Sequence, residues 1–107
     1  MKNVGIDIIE IDRMKLEPTL ITHYLSKEEI KEFETLKSET KKKQFLASKW
    51  ALKEAIYKAL SSEHLIFNQI NITKNQYGQP IVKIKNYHIS LSLSHNRTNV
   101  VAIAICF

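Results

Sequence analysis

The chain has 107 residues, 44% of them hydrophobic and 25% charged, with a formal net charge of +5 at pH 7. That size predicts one domain, residues 1–107, with a modest core, and the composition excludes the disordered, collagenous and membrane classes. A single cysteine, Cys106, rules out an internal disulfide, and no apolar run approaches the roughly 20 residues of a spanning helix.

The start, Met1-Lys2-Asn3 and then a strand-like run, is too short and too charged for a signal peptide, so a cytoplasmic protein is expected. Residues 4–9 read as a strand, with Val4, Ile6 and Ile8 on one face and Gly5, Asp7 and Ile9 on the other. Residues 11–24 mix helical spacing with Pro18, which is expected to interrupt a continuous helix. Ser26 with Glu29 three positions on makes a capping box ahead of Ile30, Phe33 and Leu36. Lys41, Lys42 and Lys43 form a charged approach to a long helix through Leu60.

Beyond Leu60 the apolar period changes from 3.6 to 2. Ile70 and Ile72 predict a strand, Tyr77-Gly78-Gln79-Pro80 a turn, and Val82 and Ile84 the partner strand. Ile89, Leu91 and Leu93 alternate with Ser90, Ser92 and Ser94 as a half-buried strand. Residues 96–99 turn the chain into a last, more completely buried strand over 100–106, where Cys106 is a packing thiol. A strand, then helices, then several antiparallel strands predict an α+β fold: an antiparallel sheet packed against a long central helix and shorter helices.

Charge is divided unevenly. Residues 1–63 hold all eleven acids, whereas residues 64–107 hold none, with Lys74, Lys83, Lys85, Arg97 and three histidines. That half creates a positive field for an anionic partner, whether a phosphorylated small molecule, an acidic protein or a nucleic acid.

The long helix, FLASKWALKEAIYKAL, carries Glu54 and Lys58 four positions apart on one face. The plain alternative is a surface ion pair, but Trp50, Ala51, Leu52, Ala55 and Ile56 leave little solvated face around them. Asp7 lies in an equally apolar run, VGIDIIEI, and has as its plain alternative a hydrogen-bonded structural carboxylate. Two such acids suit Mg²⁺, which takes one or two carboxylates and completes its shell with water and phosphate oxygens. Lys58 would then hold a phosphate oxygen as a point charge. His95, where a strand meets a turn, either contacts phosphate or caps the turn. The chain has only Gly5 and Gly78, so it has no Walker-type or dinucleotide glycine loop.

Together these residues resemble the holo-[acyl-carrier-protein] synthase family, the small bacterial 4′-phosphopantetheinyl transferases. The resemblance rests on VGIDIIEIDRM, on FLASKWALKEAIYKAL (the most specific block), on ISLSLSHN, and on the Gly-x-Pro hairpin within INITKNQYGQPIV. It implies transfer of the phosphopantetheine arm of coenzyme A to a serine of an apo acyl carrier protein, within fatty acid and lipid biosynthesis. Adenosine 3′,5′-bisphosphate would leave. The likeness implies Mg²⁺ on Asp7 and Glu54, with Glu54 taking the serine proton and Lys58 stabilising phosphate charge. It places Lys49 and His95 by the nucleotide's phosphates, Gly78 and Pro80 at the adenine, and Asn96 at a binding position. Arg13 would pair with the acidic carrier protein. The family's likeness further implies a homotrimer with coenzyme A in the cleft between subunits.

Three positions depart from the family pattern: Asn3 for a first glycine, Lys49 for a common arginine, and Ser61-Ser62-Glu63 for a glycine-containing loop. Lys49 loses a bidentate phosphate contact, and Glu63 is expected to repel the nucleotide. Two other readings compete with this one. A non-enzymatic basic α+β module binding RNA would explain the acid-free half, but not Asp7 and Glu54, and the sheet lacks an aromatic stacking stripe. An inactive interaction scaffold would require loss of a metal ligand or Lys58, and all are present.

Overall fold

A glycine decides how closely the long helix lies on the sheet. In the computed structural model, which describes residues 3–107, strand β1 (Asn3–Glu10) runs beneath helix α3 (Glu39–Ala59). A Cβ on Gly5 would stand 1.9 Å from the Ala55 carbonyl oxygen and 2.8 Å from the Ala59 nitrogen, so no other residue fits without moving the helix. The facing residues are small for the same reason. Gly5 pairs with Ala104 and Asp7 with Ala102 on the central strand, and Ala47, Ala51, Ala55 and Ala59 of α3 are buried. The expected signal-peptide test at Met1 and Lys2 lies outside the described residues.

Between β1 and α3 the chain makes a 3₁₀ turn (Ile11–Arg13), helix α1 (Pro18–Tyr24) and helix α2 (Lys27–Thr35). No continuous helix runs through residues 11–24, as expected, and Pro18 marks the break by beginning α1, with Glu17 as N-cap. The first helical position needs no N–H, and proline's fixed φ suits it. The Ser26 capping box is present, with Ser26 Oγ accepting from Glu29 N at 3.1 Å and Ser26 N donating to Glu29 Oε1 at 2.9 Å. Ser38 caps α3 by accepting from Lys41 N at 3.0 Å, so the lysine run lies inside the helix.

After α3 the chain makes a second 3₁₀ turn (Phe67–Gln69), a two-residue ladder of β2 (Thr73–Lys74) with β3 (Pro80–Ile81), and strands β4 (Ile89–His95) and β5 (Asn99–Cys106). The main sheet is antiparallel in the order β1-β5-β4. The strands expected around Ile70–Ile72 and Val82–Ile84 shrink to the short β2–β3 ladder. Alternation there reports burial rather than pairing, because Ile72 N donates to the Glu29 carboxylate (2.8 Å) and Ile70 N to Phe67 O (3.1 Å). Gly78, at φ +80°, supplies the left-handed residue of the expected turn.

Helix-facing and outward residues alternate strictly on the sheet. The outward face of β1 shows Val4, Ile6 and Ile8 at 60%, 58% and 64% exposure. Val101, Ile103 and Ile105 stand opposite them on β5, and Ser94, Ser92 and Ser90 follow on β4. No helix among the described residues is long and apolar enough to cross a membrane.

Beside the sheet lies a fully buried ion pair. Lys53 Nζ donates to Glu29 Oε1 (2.6 Å), to the Tyr24 carbonyl (2.6 Å) and to the Phe67 carbonyl (2.9 Å). All three ammonium donors are therefore used, which a charge at 0% exposure requires. Burial pushes the Lys53 pKa below the usual lysine value, and the bonded Glu29 carboxylate opposes that push.

Two substitutions test this architecture. Gly5→Ala is expected to cost about 3 kcal/mol of stability, because backbone rather than a side-chain tip blocks the new Cβ. An unchanged urea midpoint would show that strand and helix are not so tightly apposed. Lys53→Met should cost about 3–5 kcal/mol by stranding a buried carboxylate. A midpoint shift under about 1 kcal/mol would mean that Glu29 finds its partners elsewhere.

Candidate active site

Period-two alternation turns Asp7 toward α3, on the same face as Gly5. Lys58, the last residue but one of α3, reaches across to it. Its Nζ donates to the Ile6 carbonyl at 2.9 Å and to Asp7 Oδ1 at 3.3 Å. Lys58 makes no ion pair with Glu54 among the described residues, so the surface-pair reading of the helix gives way to a bridge between helix and strand. Asp7 thereby gains the lysine partner that its apolar setting requires.

Glu54, one turn earlier, receives the Tyr24 hydroxyl on Oε1 at 3.3 Å. Burial raises the Tyr24 pKa first, followed by the Glu54 charge and hydrogen bond and then the charge of Asp7. Glu54 lies one turn from Lys58 on α3, and with Lys58 bonded to Asp7 the three site residues share a neighbourhood. The set suits Mg²⁺ in one respect that matters. The described residues contain no cluster of three or more His, Cys, Asp or Glu ligands, so a protein-only cage is absent. Two carboxylates with free lone pairs on Asp7 Oδ2 and Glu54 Oε2 leave the rest of the shell to water and phosphate.

A second group of residues lines a cleft of about 410 Å³ elsewhere on α3. Lys49, Gly78, Pro80 and His95 all face it, together with Gln44 and Lys74. His95 Nδ1 lies 3.1 Å from Gln44 Nε2. The Lys49 ammonium sits 5.1 Å from the centre of the Phe45 ring and donates to Ile72 O at 3.3 Å. Burial lowers its pKa below the usual lysine value, partly offset by Glu29 and Glu32. Asp7, Glu54 and Lys58 are not among the lining residues. Helix geometry separates the two groups, since Glu54 is five residues beyond Lys49, about 140° round the axis, and Lys58 about 14 Å along it.

Other sequence-derived candidates sit apart. Asn96 does not line the cleft. Its Oδ1 accepts from Thr98 N (2.9 Å) and Asn99 N (2.7 Å), closing the β4–β5 turn. Arg13 is exposed at the end of the first 3₁₀ turn and forms no ion pair among the described residues. Glu63 is not left to repel an anion. Lys85 Nζ and the Tyr87 hydroxyl each bond its carboxylate at 2.5 Å, and these bonds hold its pKa below the usual range. Sequence reasoning missed Tyr24, Lys53 and Gln44. Tyr24 is 30 positions from Glu54, and no spacing rule connects an isolated tyrosine to a distant helix.

Fold and site together define a class. The chain belongs to the 4′-phosphopantetheinyl transferase superfamily, whose sequence model matches residues 3–106. Holo-[acyl-carrier-protein] synthase of Mycoplasma capricolum is 40% identical to it over 106 residues, spanning 98% of this chain and 94% of the relative. The Staphylococcus aureus protein of the same name is 35% identical over 99 residues, 86% of this chain and 83% of its own. A holo-(acyl-carrier-protein) synthase from Bacillus anthracis, solved in complex with CoA (3′,5′-ADP), superposes with a TM-score of 0.88 at 28% identity, covering 97% of this chain and 94% of that one. The Helicobacter pylori synthase in complex with coenzyme A gives 0.79 at 27% identity, covering 97% and 99%.

Proposed function

We propose that this enzyme moves the phosphopantetheine arm of coenzyme A to a serine of an apo acyl carrier protein, as a single transferase domain that uses Mg²⁺. The observation that carries the reading is Lys58 bridging α3 to Asp7 while Glu54, one turn away on the same helix, is bonded by Tyr24. Asp7 and Glu54 would hold the ion, and the ion would neutralise the diphosphate and polarise its phosphorus. Glu54 Oε2 carries no protein donor among the described residues and takes the serine proton, directly or through water. The serine oxygen bonds the β-phosphorus as the bond to adenosine 3′,5′-bisphosphate breaks. Lys58, aimed by the Ile6 carbonyl, stabilises the charge that gathers on the phosphate oxygens.

The nucleotide end of coenzyme A fits the cleft of Lys49, His95, Gly78 and Pro80. Because that cleft and the Asp7–Glu54 pair occupy different parts of one chain, the working site is one in which a neighbouring copy contributes. The apolar outer sheet face, with Val4, Ile6, Ile8, Val101, Ile103 and Ile105, gives copies a surface to share, and a homotrimer is the proposed assembly. Exposed Arg13 serves the acidic carrier protein. The buried free thiol of Cys106 suits the reducing cytoplasm, and the reaction belongs to fatty acid and lipid biosynthesis. An RNA-binding reading is weaker on this sheet, whose outward rows hold aliphatic and serine side chains and no stacking ring.

Intact-mass measurement of an apo carrier protein after incubation with coenzyme A and Mg²⁺ tests the activity. The carrier should gain one phosphopantetheinyl group with the wild type and none with Asp7→Ala or Glu54→Ala, both of which should fold. Lys58→Ala should mainly lower kcat. Full transfer by either carboxylate variant would reject the metal assignment. For the assembly, Ile6→Glu should shift sedimentation from trimer to monomer, and an unaltered sedimentation coefficient would exclude this face as the interface.

A further inference from the structure

Tyr24 is held at both ends. Its carbonyl accepts from the buried Lys53 ammonium at 2.6 Å, and its hydroxyl donates to Glu54 Oε1 at 3.3 Å. Between these, the ring stacks on Trp50 with centroids 4.1 Å apart and planes inclined by 16°. His23 meets it edge-on at 4.8 Å, and Phe67 lies 5.4 Å away. A phenylalanine would satisfy all of these ring contacts. The hydroxyl adds only one thing, a bond to Glu54, at the cost of burying a polar group.

Glu54 needs such a contact. It is a flexible side chain, and Tyr24 is its only hydrogen-bond or ion-pair partner among the described residues. With Lys58 drawn to β1, nothing on α3 itself restrains the carboxylate. We propose that Tyr24 is a positioning residue for Glu54, fixing Oε1 so that Oε2 faces the ion and the serine proton. This assignment rests on the role given to Glu54 above. His23, Trp50 and Phe67 surround the ring and hold its hydroxyl where it meets Glu54.

Tyr24→Phe retains the ring and removes the hydroxyl. The expected result is a fall in kcat of about tenfold with KM for coenzyme A within about twofold, since the lost bond is to a charged group that acts in the reaction. Mn²⁺ titration in the presence of coenzyme A, read by the electron paramagnetic resonance of the free ion, should give a dissociation constant about fivefold weaker. In a Glu54→Ala background, where Asp7 and the coenzyme's diphosphate still hold Mn²⁺ weakly, the same substitution should cause no further loss of Mn²⁺ affinity, whereas a merely structural tyrosine would lower it again. Wild-type turnover and affinity in Tyr24→Phe would overturn the assignment. So would an equal loss in the Glu54→Ala background, or a wild type that binds no Mn²⁺. If the wild type binds Mn²⁺ through this pair of residues yet transfers no arm, the positioning role stands and the proposed reaction falls.

Discussion

Three segments of irregular direction converge on one ammonium group. Lys53 takes the last carbonyl of α1, the capping glutamate of α2 and the first carbonyl of the second 3₁₀ turn. Glu29 in turn bonds Ser26 N and Ile72 N, so the pair also fixes where α2 begins and where the chain enters β2. Desolvating two charges is expensive, and a hydrophobic pair of equal volume is often at least as stable. The return here is geometric. Apolar contacts would hold these segments together without specifying their register, whereas three directed bonds from one nitrogen leave a single arrangement. Tyr24 is among the residues so fixed, and Glu54 is fixed through it.

Much of this was legible in the residues. Gly5 and Asp7 on one face of β1, the Ser26–Glu29 box and the β4–β5 hairpin all follow from local rules of period and capping, and the structure has them. What was not legible arises where a long-range partner replaces a local one. Glu54 and Lys58 have helical i,i+4 spacing, but Lys58 finds a strand carbonyl and Asp7 within reach and prefers them. Glu29 was visible as a cap but not as the partner of Lys53, 24 positions away. Glu63 read as a repulsive charge because Lys85 and Tyr87 are remote in sequence, and only the fold brings them to it. Pro18 was legible as a break in residues 11–24, but not as the N1 residue that begins α1.

The candidate residues divide in a way that no linear motif could disclose. A helix turned by its natural 100° per residue cannot aim Lys49 and Glu54 at one small ligand, since five residues carry the second to a different side. In the proposed assembly, coenzyme A would lie with its nucleotide on one copy and its diphosphate on the next. The separation of the cleft from the carboxylates would then follow from building a site on a surface between chains rather than within one small core. A domain of this size has little interior to spare for a pocket of its own.

Strand β1 is where these demands meet. Its inward residues are Gly5, which admits α3, and Asp7, which receives Lys58. Its outward residues, Val4, Ile6 and Ile8, are the most exposed part of the apolar sheet face. Because side chains alternate, Asp7 is flanked in sequence by two residues of that face, and the Ile6 carbonyl that aims Lys58 belongs to one of them. A neighbouring copy seated on Ile6 and Ile8 would therefore hold the backbone that carries the acid. A strand at the edge of its sheet has hydrogen bonds on one side only, so packing over its outer face limits the twisting motions left to it. In the proposed assembly, burying that face and ordering the site become one event, and a lone chain would carry every residue of the site without the rigidity that makes them act together.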